Sequence, residues 1–562
     1  MSRIYEIAHL FIEELAASDP VAATMMGVQG HDDRLTDHSP EGYARLRALR
    51  RRYRQMLETA PVESDRDRVA RDGMLEYLEL RDELDSSGEQ YYLSGFRNPA
   101  TTMRMVFDLM PRSSEDDWAA IALRFAAYPA ALARYRVLLE EAVARGFTSP
   151  RRQVAEAIRQ LRTYGGAEGK SYFRSLAESA PDSLPDSLRS ELLRGADDAS
   201  RAMLEFSEFL AGPFSERSGE RDAVGRDRYR LNARAFNGID LDLEETYAWG
   251  WEELHRIEAE MAATCQRILP GASIPETKEF LERDPSRSIE GVDAFRQWMQ
   301  DLQDRTIAEL DGKHFDIPEP VKRIEAMIAP PGGAAAMYYT GPSEDFSRPG
   351  RTWYPTGGRT RFPLWGEVSI AYHEGVPGHH LERANAKYLA DRLSRFQRLL
   401  GGTSGYVEGW ALYAERLMAE LGYLDVPDYY LGMLRAQALR AVRVIVDIGM
   451  HLELEIPRGQ PFHPGERWNA ALGQEFCNER SQFPLDFVQS EVIRYLGMPG
   501  QAISYKVGER CWLEAREEAR QRLGAKFDLK AWHRTAFDLG PMGLAQMQAE
   551  LRRAAPEPSM PD

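Results

Sequence analysis

The 562-residue sequence predicts a mainly α fold: a large two-lobed helical body with a central cleft and a small antiparallel β element. Three observations lead there. Apolar residues recur every three or four positions over most of the chain, with Ala, Leu, Arg and Glu between them, the pattern of helices that bury one face. Strand-like alternation is confined to residues 321–372. A polar, glycine-containing stretch at 212–240 separates two periodic regions.

The first region, 1–230, reads as helices over 3–17, 40–59, 64–85, 115–145, 150–164 and 185–211. The second, 231–562, reads as helices over 242–267, 290–311, 382–399, 404–421, 428–454, 466–478, 484–496, 507–523 and 541–553. Their boundary is soft, and one integrated domain is the alternative. In the β stretch, VKRIEAMIAPP, AAMYYTGP and TWYP lie among Pro, Gly and aromatic residues, with turns expected at PGG (331–333) and GG (357–358). A small sheet is therefore expected just before residue 373. No repeat of fixed period occurs, and the tail APEPSMPD is the one low-complexity segment.

Composition removes several function classes. A formal charge of -17 opposes a nucleic-acid partner, which needs a clustered positive field. The basic run RLRALRRRYR (45–54) interleaves its arginines with Leu46, Leu49 and Tyr53 at helical spacing, so it reads as a solvated helix face. The three cysteines, Cys265, Cys477 and Cys511, are widely spaced and form no C-x-x-C. They suit neither a disulfide framework nor a structural zinc knuckle, and a reducing cytoplasm is the expected location. The opening MSRIYEIAHLFIEELAASDP carries Glu6, Glu13 and Glu14 within its apolar stretch, which makes it an amphipathic helix rather than a signal peptide. No run of 18 apolar residues suggests a membrane span.

The chemistry concentrates in AYHEGVPGHHLE, residues 371–382. It begins His373-Glu374 as the zinc-peptidase motif H-E-x-x-H does, yet Pro377 stands where the second histidine belongs. In a regular helix, residues four apart lie about 40° apart on one face, which lets two histidines share an ion. His379 would point about 240° away from His373, and His380 would sit about 10 Å further along the axis. Neither suits bonds of about 2.0–2.1 Å to one zinc. Pro377 and Gly378 permit a remedy, because Pro disfavours helical geometry at Val376 and glycine accepts almost any turn. A bulge at 376–378 would return one histidine to the metal. His379 is preferred as the ligand and His380 is the alternative; with His379 on the metal, His380 becomes an imidazole beside the ligands or facing the substrate, and a candidate to steady the tetrahedral intermediate. Glu374 is placed to take a proton from a metal-activated water. Either Glu408 or Glu415, seven residues apart on one face of GYVEGWALYAERL, is a candidate third ligand.

HEGVPGHHLE, EGWALYAE, RVIVDIGMH (443–451) and GQAISYKVGE (500–509) together resemble the bacterial "domain of unknown function 885" family, which is grouped with the gluzincin metallopeptidases. DPVAATMMGVQGHDDRLTDHSPEG (19–42) resembles the family's opening, so the likeness runs over nearly the whole chain. Thimet oligopeptidase, angiotensin-converting enzyme and carboxypeptidase Taq are more distant gluzincins with a similar helical body. The resemblance implies a third ligand on a helix after the motif, which maps to Glu408 with Glu415 behind it. Dipeptidyl-peptidase III also accommodates a lengthened motif, by one residue fewer than here.

The same reading brings in other side chains. Tyr505, and secondarily Lys506, are candidate donors to a developing oxyanion, Tyr505 being preferred because gluzincins of this shape often use a tyrosine. Arg440, Arg443, Asp447 and His451 follow one another at intervals of three or four inside an apolar helix, where charge is costly unless paired or functional. Asp447 is a candidate to orient a ligand histidine, and Arg443 to hold a substrate carboxylate. YYTGPSEDFSRPGRTWYP is a candidate edge strand for an extended peptide. The expected function is a peptidase with one Zn2+ that hydrolyses short peptides, oligopeptidase or carboxypeptidase in type. A zinc hydrolase of another amide or ester, or an inactive metal-stabilised scaffold, is the alternative.

Overall fold

The computed structural model describes residues 2–329 and 336–554. Over these residues the chain is mainly α-helical, with two small sheets. The turn expected at 331–333 and the tail from 555 lie outside the described residues.

The contacts divide the chain into two compact units. The first comprises 1–62, 77–224 and 493–498. Its core forms where the Glu115–Ala144 helix packs on Asp186–Phe209, which also lies on Arg151–Gly165. Phe107, Phe125 and Phe173 meet edge-on or tilted within this core, as ring quadrupoles prefer. The basic run lies on the Pro40–Thr59 helix with Leu46, Leu49 and Tyr53 buried. Its arginines pair with acids of neighbouring helices: Arg50 with Asp85, Arg51 with Asp82 and Arg52 with Glu14.

The second unit comprises 63–76, 225–492 and 499–562. Two helix pairs organise it: Leu243–Ile268 against Pro427–Leu452, and Ser404–Glu420 against Ser504–Leu523. The second pair crosses at two glycines, since a Cβ on Gly409 would overlap the backbone of Gly508. That close approach sets Glu408, one residue before the crossing, beside the helix that carries Tyr505.

The sheet region differs from an all-antiparallel element. Strands β1 (Ser288–Glu290) and β5 (Arg361–Pro363) form an antiparallel pair. Strands β2 (Ile324–Ile328), β3 (Tyr338–Thr340) and β4 (Gly350–Tyr354) form a mixed sheet of order β2-β4-β3. In it β2 runs parallel to β4 while β3 is antiparallel. The stretch between β2 and β4 is long enough for the crossover a parallel pair requires. Gly357 and Gly358 turn the chain with φ of 58° and 77°.

The helix expected over 382–399 is two helices, His379–Tyr388 and Arg395–Leu399. Ser394 and Gln397 form a capping box that starts the second. Further helices begin at caps that apolar spacing does not reveal, among them Pro20–Met26 after Asp19 and Ile274–Arg283 after Ser273. The polar stretch near 230 holds another, Arg226–Asn237, whose arginines mask the buried face of Tyr229 and Ala233. No helix among the described residues is long and apolar enough to cross a membrane.

Candidate metal centre

The motif is not one helix carrying a bulge. A helix over Val368–Glu374 stops, four residues turn, and a second helix runs from His379 to Tyr388. The turn folds back on the first helix: Gly378 N–H donates to the Tyr372 carbonyl at 3.0 Å, and His380 N–H to the Gly375 carbonyl at 3.1 Å. The Trp410 indole N–H donates to the Pro377 carbonyl at 2.9 Å, so the EGW segment pins the turn. The two inserted residues are thus spent on a break between helices, and the second helix begins with its first histidine back beside His373.

The fold lets only glycine occupy position 378, where a Cβ would overlap the carbonyl oxygens of His373 and Tyr372. Both are backbone atoms of the preceding helix and cannot swing aside. Gly378→Ala is expected to destabilise the protein by about 3 kcal/mol, the upper part of the overpacking range. Denaturant unfolding measures this directly, and an unchanged midpoint would contradict the close fit.

The turn brings His373, His379 and Glu408 together, with one ligand atom of each within 4.8 Å of the others. The His373 and His379 rings stand nearly perpendicular, their centroids 4.8 Å apart. Both Nε2 atoms lie 3.4 Å from the same Glu408 Oε2. Donors about 2.0–2.1 Å from a tetrahedral zinc are about 3.4 Å from one another, so these separations are edges of such a tetrahedron. Glu415 takes a different place. Its carboxylate accepts from His373 Nδ1 at 2.8 Å and from the Ser369 hydroxyl. Because a carboxylate can only accept, Nδ1 carries the hydrogen, and in the neutral ring, the form a metal would take, the Nε2 lone pair is the one turned toward Glu408. Two turns of the Ser404–Glu420 helix thus serve the two nitrogens of one imidazole.

The surroundings favour positive charge between the rings. Burial pushes the His373 imidazole down, but bonds to Glu408 and Glu415 outweigh it and raise its pKa to about 9. Burial pushes Glu408 up, and His379 and His373 overcome that to hold it well below the ordinary range. Glu374 is pushed up by burial against the opposing pull of His379 and His373. It sits at the same cluster, 8% exposed. A carboxylate whose pKa is raised in this way takes up a proton more readily than an exposed one.

The structure disposes the remaining candidates as follows. The Tyr505 ring faces His373 at 6.3 Å between centroids and 20° between planes, and so stands at the cluster. His380 does not: its Nε2 donates to the Val321 carbonyl at 2.6 Å, and its Nδ1 pairs with the Tyr339 hydroxyl at 3.0 Å. Burial lowers its pKa to about 4, so it is a neutral strut between the motif and the sheet region. Asp447 bonds Tyr229 and the Gly500 amide at 2.8 and 2.9 Å and lies 3.6 Å from His451, while the Nδ1 of His373 is taken by Glu415. Lys506 is tied to Gln437, Glu509 and Glu253 in a buried network. Arg443 pairs with Glu491 at 2.6 Å and lies over the Tyr505 ring.

Sequence reasoning passed over three residues. Ser369 has its hydroxyl on Glu415, one turn before His373. Tyr339, on β3, bonds His380 and sets its ring 6.5 Å from that of His379. Glu382, one turn after His379, is buried with no hydrogen bond to either oxygen, while His379 Nδ1 is equally unbonded. The i, i+3 spacing in HHLE was the available signal for Glu382.

Fold and cluster together define a largely helical protein in which two buried histidines and a half-buried glutamate stand in metal-ligand arrangement. The chain belongs to the family described as bacterial protein of unknown function (DUF885), which matches residues 20–551. Two solved structures share the fold. The crystal structure of a "putative lipoprotein" from Colwellia psychrerythraea aligns with a TM-score of 0.83 at 22% identity, covering 98% of this chain and 99% of that one. A "putative lipoprotein of unknown function" from Shewanella oneidensis aligns with a TM-score of 0.72 at 17% identity, covering 98% and 100%. No curated protein matches the sequence.

Proposed function

We propose that this protein is a zinc-dependent hydrolase of peptide bonds in short peptides, with one ion held by His373, His379 and Glu408. The observation that carries the reading is the pair of 3.4 Å separations that set both Nε2 atoms against one Glu408 oxygen. Glu415 supports it as the outer carboxylate that fixes the His373 tautomer, a partner that ligand histidines almost always have. The affiliation with gluzincin peptidases belongs to the same proposal.

Zinc, when bound, supplies Lewis acidity that polarises a carbonyl and eases loss of a proton from water. The chain's own residues do the rest. Glu374 takes one proton from the attacking water as its oxygen bonds to the carbonyl carbon, and delivers it to the leaving nitrogen as the C–N bond breaks. Tyr505, beside His373, is the proposed donor to the oxygen that becomes negative. Strand β3 is an end strand of its sheet and carries Tyr339 next to His379, which suits an extended peptide pairing along it. A purely structural zinc site closes with four protein ligands and has no use for Glu374, which argues against a scaffold. The three cysteines are free and buried, in keeping with the proposed reducing cytoplasm.

The test is digestion of a mixture of short unstructured peptides, read by mass spectrometry, with the protein chelated and then resupplied with zinc. Cleavage that stops on chelation and returns with zinc, while folded proteins stay intact, is expected. A zinc-loaded protein that cuts no peptide but hydrolyses simple esters or amides would move the reading to a non-peptide substrate.

A further inference from the structure

Among the described residues Arg440 has no ion-pair partner. It lies in the middle of the Pro427–Leu452 helix and is only 8% exposed. One terminal nitrogen donates to the Ala436 carbonyl of its own helix at 3.2 Å. Its Nε is buried without a partner. Among the described residues no carboxylate lies within ion-pair distance of it, whereas Arg443, one turn on, is held by Glu491 at 2.6 Å. A buried guanidinium left without an anion is strongly unfavourable for folding alone.

Its surroundings say where an anion would come from. The Arg440 guanidinium stands 5.6 Å from the centre of the Tyr505 ring, and that ring is 6.3 Å from His373. The two separations put it no more than about 12 Å from the His373 ring, roughly the reach of three residues of extended chain. Its charge also acts on Glu374, so it belongs to the same site as the carboxylates there. The planar fork of a guanidinium matches a carboxylate with two parallel bonds.

We propose that Arg440 binds the C-terminal carboxylate of the peptide substrate, so that the protein cuts within about three residues of the carboxyl end. This rests on the hydrolase reading above and narrows it from peptides in general to peptides with a free carboxyl terminus. Sequence reasoning gave the substrate carboxylate to Arg443, which Glu491 holds instead.

The experiment compares one peptide as the free acid and as the C-terminal amide, with zinc-loaded wild type and Arg440→Gln. Binding of both forms to Glu374→Gln and to the double variant, followed by calorimetry, is measured in parallel. The wild type is expected to favour the acid by about 10–100-fold in kcat/KM, mainly through KM, the worth of charge-assisted hydrogen bonds. Arg440→Gln is expected to erase that preference, whatever change common to acid and amide follows from its contact with Tyr505 and its charge on Glu374, and to remove the same factor from binding. Arg440→Lys, which keeps charge without the fork, is expected to fall between. Equal cleavage of acid and amide by the wild type, or cuts far from the carboxyl end, would overturn the proposal and leave the hydrolase reading intact. If neither peptide is cut, the hydrolase reading fails. The calorimetry then decides Arg440 by itself: acid-selective binding lost in Arg440→Gln supports its role, and equal binding of both forms overturns it.

Discussion

Glu374→Gln is expected to bind zinc as the wild type does while peptide hydrolysis falls by about 10²–10⁴-fold, the usual contribution of a general base. Glutamine keeps the size and shape of the side chain, so the 376–378 turn and the triad have no reason to move. It cannot accept and return a proton at water. Glu374 is also not one of the three residues whose donor atoms cluster. The discriminating result is therefore the pair of readouts together: metal content unchanged, turnover lost. Turnover at the wild-type rate would remove Glu374 from the mechanism and send the search to another base. Loss of both metal and turnover would make Glu374 part of the binding site and leave its catalytic role without support.

Much of this was legible in the sequence because it is local. Helical periodicity survives in any context that buries one face, and the long helices appear where apolar spacing places them. The break at Pro377 and Gly378 was legible for the same reason, since both residues act on their immediate neighbours. What the break becomes was less so. A bulge and a four-residue turn between two helices use the same residues, and the choice depends on Trp410, whose indole holds the Pro377 carbonyl from another helix.

The failures in the sheet and at the site are long-range. Whether β2 meets β4 in parallel is decided by pairing across a crossover, and alternation within a strand carries no trace of it. His380 looks as eligible as His379 until the Val321 carbonyl, far back in the chain, takes its Nε2. Lys506 sits next to Tyr505 in sequence, but the helix turns its ammonium toward Glu253 and Glu509. Arg440 and Arg443 share a face of one helix, and only the arrival of Glu491 separates the paired one from the unpaired one. In each case the residue type was correctly noticed and its partner was invisible.

We propose that AYHEGVPGHHLE builds a metal site by breaking a helix, with His373, His379 and Glu408 as ligands. It is tested most directly by the zinc content of the purified protein and of His373→Ala, His379→Ala and His380→Ala, measured by elemental mass spectrometry after loading with zinc and removal of excess. About one zinc per chain is expected in the wild type and in His380→Ala, and almost none in the other two, because a site with three protein ligands that loses one of them holds the ion poorly. Zinc absent from the wild type, or lost with His380 and kept without His379, would contradict it.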